Sequence, residues 1–65
     1  MELIAIEVRA RRKQRNLSQQ ALAELAGVSV NFVKALEKGN TNIRLDLLLR
    51  VLDLFGIEIE AKVKP

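Results

Sequence analysis

The side chains best equipped for chemistry in this sequence are cationic, and they are unevenly distributed. Positions 9 to 44 hold eight basic residues against two acidic ones, a local balance of +6, although the whole chain carries only +3. Guanidinium and ammonium groups bind phosphates by charge and by hydrogen bonding. The pattern indicates an anionic partner such as nucleic acid. A solvated helix face or a loose tail is the alternative for the run RARRKQR.

Enzymatic chemistry has few candidate residues. The sequence contains no cysteine, histidine or tyrosine, which removes disulfides, the common zinc sites and the usual general bases and nucleophiles. No paired-carboxylate pocket is evident. We therefore expect no enzyme, no catalytic residue, no metal and no cofactor. Because no long apolar segment or signal peptide is found, we also expect a cytoplasmic protein.

Five short elements must position the polar residues. Apolar spacing and turn residues predict helices over about 3–15, 19–26, 30–38 and 45–55. The alternating segment IEIEAKVK predicts a half-buried strand over about 57–64. At 65 residues the chain has room for one domain, 1–65, with a small core. Oligomerisation is the remaining means of supporting that core.

A helix-turn-helix motif accounts for the second and third helices. Ser18 and Ser29 are suitable N-caps, and Gly27 can take the left-handed backbone that ends the second helix. Ala23 lies one turn before the glycine, where the two helices approach most closely, and Val33 anchors the second helix on the first. An ordinary helical hairpin is the alternative.

The segment LSQQALAELAGVSVNFVKALEKG resembles the helix-turn-helix of the phage Cro and C1 repressor class, the XRE family, over about residues 8–55. The segment NIRLDLLLRVLDLFGIEIE resembles HipB-like antitoxins, although Arg44 stands where many relatives place a serine cap. The resemblance implies a mainly α fold: a four-helix Cro/C1-repressor-like domain with one C-terminal β-strand pairing across a homodimer. It implies a transcriptional repressor of antitoxin type that binds an inverted-repeat operator in double-stranded DNA, and it leaves a toxin protein open as a second partner.

In a module of this kind the third helix lies in the major groove, where base edges can be told apart. The outward residues of helix 30–38 are therefore the expected readers. An amide can bond adenine, an ammonium can donate to guanine and a valine can pack on a thymine methyl. The candidate base contacts are Ser29, Val30, Asn31, Lys34 and Ala35.

Phosphate contacts need hydrogen-bond donors rather than a code. Gln19 begins the second helix, where free N–H groups and the helix dipole favour an anion. The expected phosphate contacts are Gln19, Lys38, Asn40, Thr41, Asn42 and Arg44. For the run from Arg9 to Arg15 we expect long-range attraction more than specific contacts, and contacts of these residues with flanking phosphates stay open.

The repressor resemblance also implies an ion pair between the first and third helices. Arg12 continues the inward face of helix 3–15, and Glu37 lies in the last turn of helix 30–38. The resemblance implies that they meet as a partly buried pair, and two separate surface charges are the alternative.

Two apolar surfaces predict a homodimer. The fourth helix is apolar most of the way round, so one side needs a second molecule, and the terminal strand has no evident partner in its own chain. Antiparallel self-pairing centred on Ala61 sets Glu58 opposite Lys64, which favours that register. The predicted interface comprises Leu47, Val51, Leu54, Phe55, Ile57, Ile59, Ala61 and Val63. The alternatives are a strand docked within its own subunit and a disordered tail.

A second class of function stays open from the residues. The apolar fourth helix and the strand can bind a different protein, such as a toxin, while DNA binding is secondary. DNA binding predicts a steep loss of affinity with salt, whereas an apolar protein contact predicts little.

Overall fold

The computed structural model describes residues 2–58 and contains four helices, as the sequence predicts. They are α1 (Glu2–Gln14), α2 (Gln19–Ala26), α3 (Val30–Glu37) and α4 (Leu45–Leu54). None of these helices is long and apolar enough to cross a membrane.

Local capping explains where α2 and α3 begin and end. The Ser18 hydroxyl accepts a hydrogen bond from the Ala21 N–H at 3.0 Å. The Ser29 hydroxyl accepts one from the Phe32 N–H at 3.1 Å, so both serines satisfy a backbone donor that the first helical turn leaves free. Gly27 has φ +73°, a left-handed conformation that costs glycine little. The chain therefore turns from α2 into α3 within three residues.

The fourth helix begins without such a cap. Arg44 occupies the N-cap position and makes no side-chain capping bond. At the other end, the Ile57 N–H donates to the Leu52 carbonyl at 2.9 Å, and Gly56 has φ +68°. This is the hydrogen-bonding pattern of a glycine-ended helix.

The core lies where all four helices meet. Its fully or almost fully buried members are Val8, Leu22, Ala23, Val33, Leu36, Leu48, Val51, Leu52 and Phe55. Because α2 packs on both α3 and α4, and α1 packs on α3, the core holds the helix-turn-helix as one rigid unit.

The burial of α4 corrects part of the predicted dimer interface. Val51 is 0% exposed and Phe55 3% exposed, so both belong to the subunit's own core and present no surface to a second copy. The exposed apolar side chains of this helix are instead Leu45 and Leu49, at 62% and 46%. Leu47 and Leu54 are half-buried and keep part of their surface, so burial removes only Val51 and Phe55 from the α4 part of the predicted interface.

The predicted strand is only partly covered by the structure. Ile57 and Glu58 lie outside any strand. The remaining positions of the predicted strand, which include Ile59, Ala61 and Val63, lie outside the described residues.

Candidate nucleic-acid interface

A buried carboxylate ties together the three helices that border the expected DNA-facing surface. Glu37, at the end of α3, is only 4% exposed. It accepts two hydrogen bonds from Arg12 of α1, at 2.7 Å from Nε and 3.0 Å from Nη2. It accepts a third, at 3.2 Å, from the side-chain amide of Gln19 in α2. The structure therefore brings Arg12 and Glu37 together in a two-pronged contact.

The third helix presents a polar outer face. Ser29, Asn31 and Lys34 are exposed, whereas Val30 and Ala35 are half-buried. The Ser29 oxygen already caps the helix, which leaves its O–H as a free donor. All five expected readers therefore have some accessible surface along α3 or at its N-cap.

The residues expected to contact phosphates differ in their exposure and in the hydrogen bonds that they already make. Gln19 is half-buried and already donates to Glu37, so its second amide hydrogen is the one left for an anion. Lys38 and Thr41 are exposed. The side-chain oxygen of Asn40, Oδ1, accepts a hydrogen bond from the Asn42 N–H at 2.9 Å, which shapes the loop after α3.

Arg44 is held by a neighbouring carboxylate. Its guanidinium donates to both oxygens of Asp46, at 3.2 and 2.7 Å. These hydrogen bonds lower the pKa of Asp46 below its ordinary value. These bonds use Nε and Nη2, and the carboxylate offsets the positive charge that Arg44 can offer to a phosphate.

Several arginine side chains donate hydrogen bonds to backbone carbonyls at helix ends, which the sequence does not predict. Arg9 donates to the Glu37 carbonyl at 2.6 Å, at the C-terminus of α3. Arg11 and Arg15 donate to carbonyls at the end of α4, at 3.2 and 3.3 Å, and Arg15 also lies 5.0 Å from the centre of the Phe55 ring. Arg50 donates to the Gly27 carbonyl after α2 at 3.2 Å. Cations thus satisfy the free carbonyls and oppose the negative dipole end of three helices.

No sequence signal identifies these caps, because each joins residues far apart in the chain. The run from Arg9 to Arg15 is therefore not a plain solvated face. Three of its arginines fasten α1 to the ends of α3 and α4.

A cleft between α1 and α3 is lined mainly by positively charged side chains. We call it the basic cleft, and it is lined by Arg9, Arg12, Lys13, Gln19, Lys34, Glu37 and Lys38. Five of these residues are cations and one is an anion, so the lining carries an excess of positive charge. Such a cleft concentrates field lines and attracts anions.

The described residues of this surface offer hydrogen-bond donors and positive charge. Among positions 2–58 no group of three or more His, Cys, Asp or Glu side chains is placed to hold a metal ion. What the surface can do chemically is bind an anionic backbone beside a row of polar helix residues.

Comparison with known proteins agrees with this geometry. A family model described as Helix-turn-helix matches residues 8–62. The chain is also 40% identical over 53 residues to a Sinorhizobium fredii (strain NBRC 101917 / NGR234) protein named "Uncharacterized HTH-type transcriptional regulator y4mF", a match covering 82% of this chain and 70% of that protein. The narrower likeness to HipB-like antitoxins stays a prediction. The resemblance to the XRE class is confirmed, and this chain belongs to the XRE-type helix-turn-helix family.

Proposed function

We propose that this protein is a sequence-specific repressor of transcription that binds double-stranded DNA and reads the major groove with α3. The observation that carries the proposal is the exposed polar face of α3 beside the basic cleft, on a helix-turn-helix held rigid by its core. Family membership and the relative named as a transcriptional regulator support a DNA-binding regulator.

Two groups of residues have different roles in this proposal. Side chains at the N-terminal and outer part of α3 contact base edges: Ser29, Val30, Asn31, Lys34 and Ala35. Residues at the start of α2 and after α3 hold phosphates: Gln19, Lys38, Asn40, Thr41, Asn42 and Arg44. Phosphate contacts position the module, and base contacts make it selective.

The test is selection of bound duplexes from a random pool, followed by two substitutions. Asn31→Ala should relax the preference at particular base pairs. Gln19→Ala should weaken binding to all sequences about equally, because it removes a phosphate donor. Equal relaxation of specificity by both variants would contradict the assignment, and so would a pool that shows no enrichment.

We propose further that the protein acts as a homodimer. One domain of this size buries a small core, and several apolar side chains of α4 keep accessible surface. The proposed interface combines Leu47, Leu54 and Ile57, which are half-buried in the subunit, with the C-terminal segment Ile59, Ala61 and Val63. Two half-sites about one helical turn apart, about 10 base pairs, are then expected in the selected duplexes.

An antitoxin role is a second candidate, supported by exposed apolar side chains outside α3. Leu3 and Ile6 of α1 are exposed, as are Leu45 and Leu49 of α4. A toxin protein bound on such surfaces would be neutralised, with DNA binding as a second activity. Affinity for a mainly apolar protein partner should change little with salt, whereas duplex affinity should fall steeply.

A further inference from the structure

The basic cleft holds more positive charge than its single carboxylate can balance. Arg9 and Lys13 are one helical turn apart on α1, and Lys34 of α3 is one turn before Lys38, the C-cap residue of that helix. Like charges at this spacing repel each other and destabilise a helix slightly. Two such pairs face a single cleft.

The cleft's own carboxylate does not balance these cations. Glu37 is occupied by Arg12 at 2.7 Å and lies 3.8 Å from Arg9. Within the part of the chain that the structure describes, no ion pair engages Lys13, Lys34 or Lys38. The cleft is therefore lined by three ammonium groups, and its one carboxylate, Glu37, is already neutralised by Arg12.

We propose that the basic cleft is a backbone-phosphate site, in which Lys13 of α1 and Lys38 at the end of α3 hold one DNA phosphate from opposite walls. Arg9 is committed to the α3 carboxyl end, at 2.6 Å from the Glu37 carbonyl, and contributes charge from the side. Lys34 stands at the border between the cleft and the outer face of α3. The first helix thus makes a specific contact rather than supplying long-range attraction alone.

The location of the cleft favours DNA over other anions. Gln19, at the positive N-terminal end of α2, lines the same cleft, and so does α3, the proposed reading helix. When α3 contacts the bases of a DNA strand, the phosphates of that DNA strand lie beside α3 and within reach of the basic cleft. This inference rests on the proposed function.

The experiment compares two variants of equal net charge. Lys13→Gln combined with Lys38→Gln removes two charges from the cleft. Arg11→Gln combined with Arg15→Gln removes one charge from α1 and one from the residue just after it, and both of these arginines contact the end of α4. Affinity for a fixed duplex is measured between 50 and 200 mM salt, at a temperature where circular dichroism shows each variant folded.

The cleft variant should lower the magnitude of the salt slope by about 0.9, the value for one phosphate. The ratio of the duplex affinity of the unsubstituted protein to that of this variant should then fall by about 3.5-fold between 50 and 200 mM salt. The loss should be the same for every duplex sequence, and the control pair should change the slope less. If the control pair is unfolded, Lys13→Gln is compared with Arg15→Gln alone.

Other outcomes overturn the inference in distinguishable ways. Equal slope changes in the two variants mean that the lysines act only through long-range attraction. If the cleft variant loses binding of inorganic phosphate or of a polyglutamate peptide but keeps its duplex slope, the cleft holds a free anion or an acidic protein segment instead. If the unsubstituted protein binds no duplex at any salt concentration, the proposed function fails together with the inference.

Discussion

Removing the Glu37 carboxylate should be the most damaging single change in the polar part of this fold. In Glu37→Ala, the Arg12 guanidinium, whose side chain is 13% exposed, loses both bonds to the carboxylate. Stripping one partner from a buried ion pair costs about 3 to 5 kcal/mol, because the other charge stays uncompensated. Arg12 keeps a 2.8 Å bond to the Leu17 carbonyl and borders the open cleft, so the lower end, about 3 kcal/mol, is expected.

The expected loss is large enough for a thermal melt to measure. In a domain of this size each kcal/mol shifts the midpoint by about 4 to 8 °C, so Glu37→Ala should melt about 12 to 24 °C lower. The melt is followed by circular dichroism at one fixed protein concentration, because the proposed dimer would make the midpoint depend on concentration.

A matched control is available on α1. Glu7 accepts a 2.8 Å bond from Arg11, but both side chains are substantially exposed, at 51% and 39%. An exposed pair one turn apart contributes about 0.3 to 0.5 kcal/mol, so Glu7→Ala should shift the midpoint by no more than a few degrees. If Glu37→Ala and Glu7→Ala shift it equally, the buried-pair argument is refuted.

Three further changes test other parts of the structure. Gly27→Ala forces an L side chain into φ +73° and should cost about 1 to 2 kcal/mol, seen as a lower melting midpoint, with a smaller loss for Gly27→Asn. Arg44 lowers the pKa of Asp46, so the Asp46 carboxylate stabilises the fold at neutral pH and that contribution disappears as pH falls through the lowered pKa. Asp46→Asn should remove this acid dependence and release Arg44, so duplex affinity at low salt should rise; unchanged affinity would argue against a phosphate contact by Arg44. Deletion of residues 57–65 should lower the dimer fraction in analytical ultracentrifugation together with DNA affinity, and a truncated chain that stays a DNA-competent dimer would exclude the strand-paired dimer.

Much of the fold could be predicted because its signals are local. Ser18, Gly27 and Ser29 act within one turn of themselves, on backbone groups that the adjoining helix ends leave free. The apolar spacing of α2 and α3 likewise depends on neighbours three and four residues away. These features do not require knowledge of how distant segments meet.

Part of the candidate interface could be predicted for the same reason. Once α3 is placed by its cap and its buried face, the residues left outside, such as Asn31 and Lys34, follow from helical geometry. The contact between Arg12 and Glu37 was predicted from the family resemblance alone, because 25 residues separate the two and no local pattern connects them.

The tertiary structure decided which partners the charged side chains have and which apolar side chains of α4 stay exposed. Arg9, Arg11 and Arg15 look alike in the sequence, yet the first reaches the end of α3 and the other two reach the end of α4. Val51 and Leu49 are equally apolar, but one is buried and the other is exposed. The sequence by itself determined which helices form and where they turn, because those interactions are made within each segment. Which helix end each arginine satisfies, and which lysines line one cleft, depends on how the helices pack, and burial in the shared core sets that arrangement.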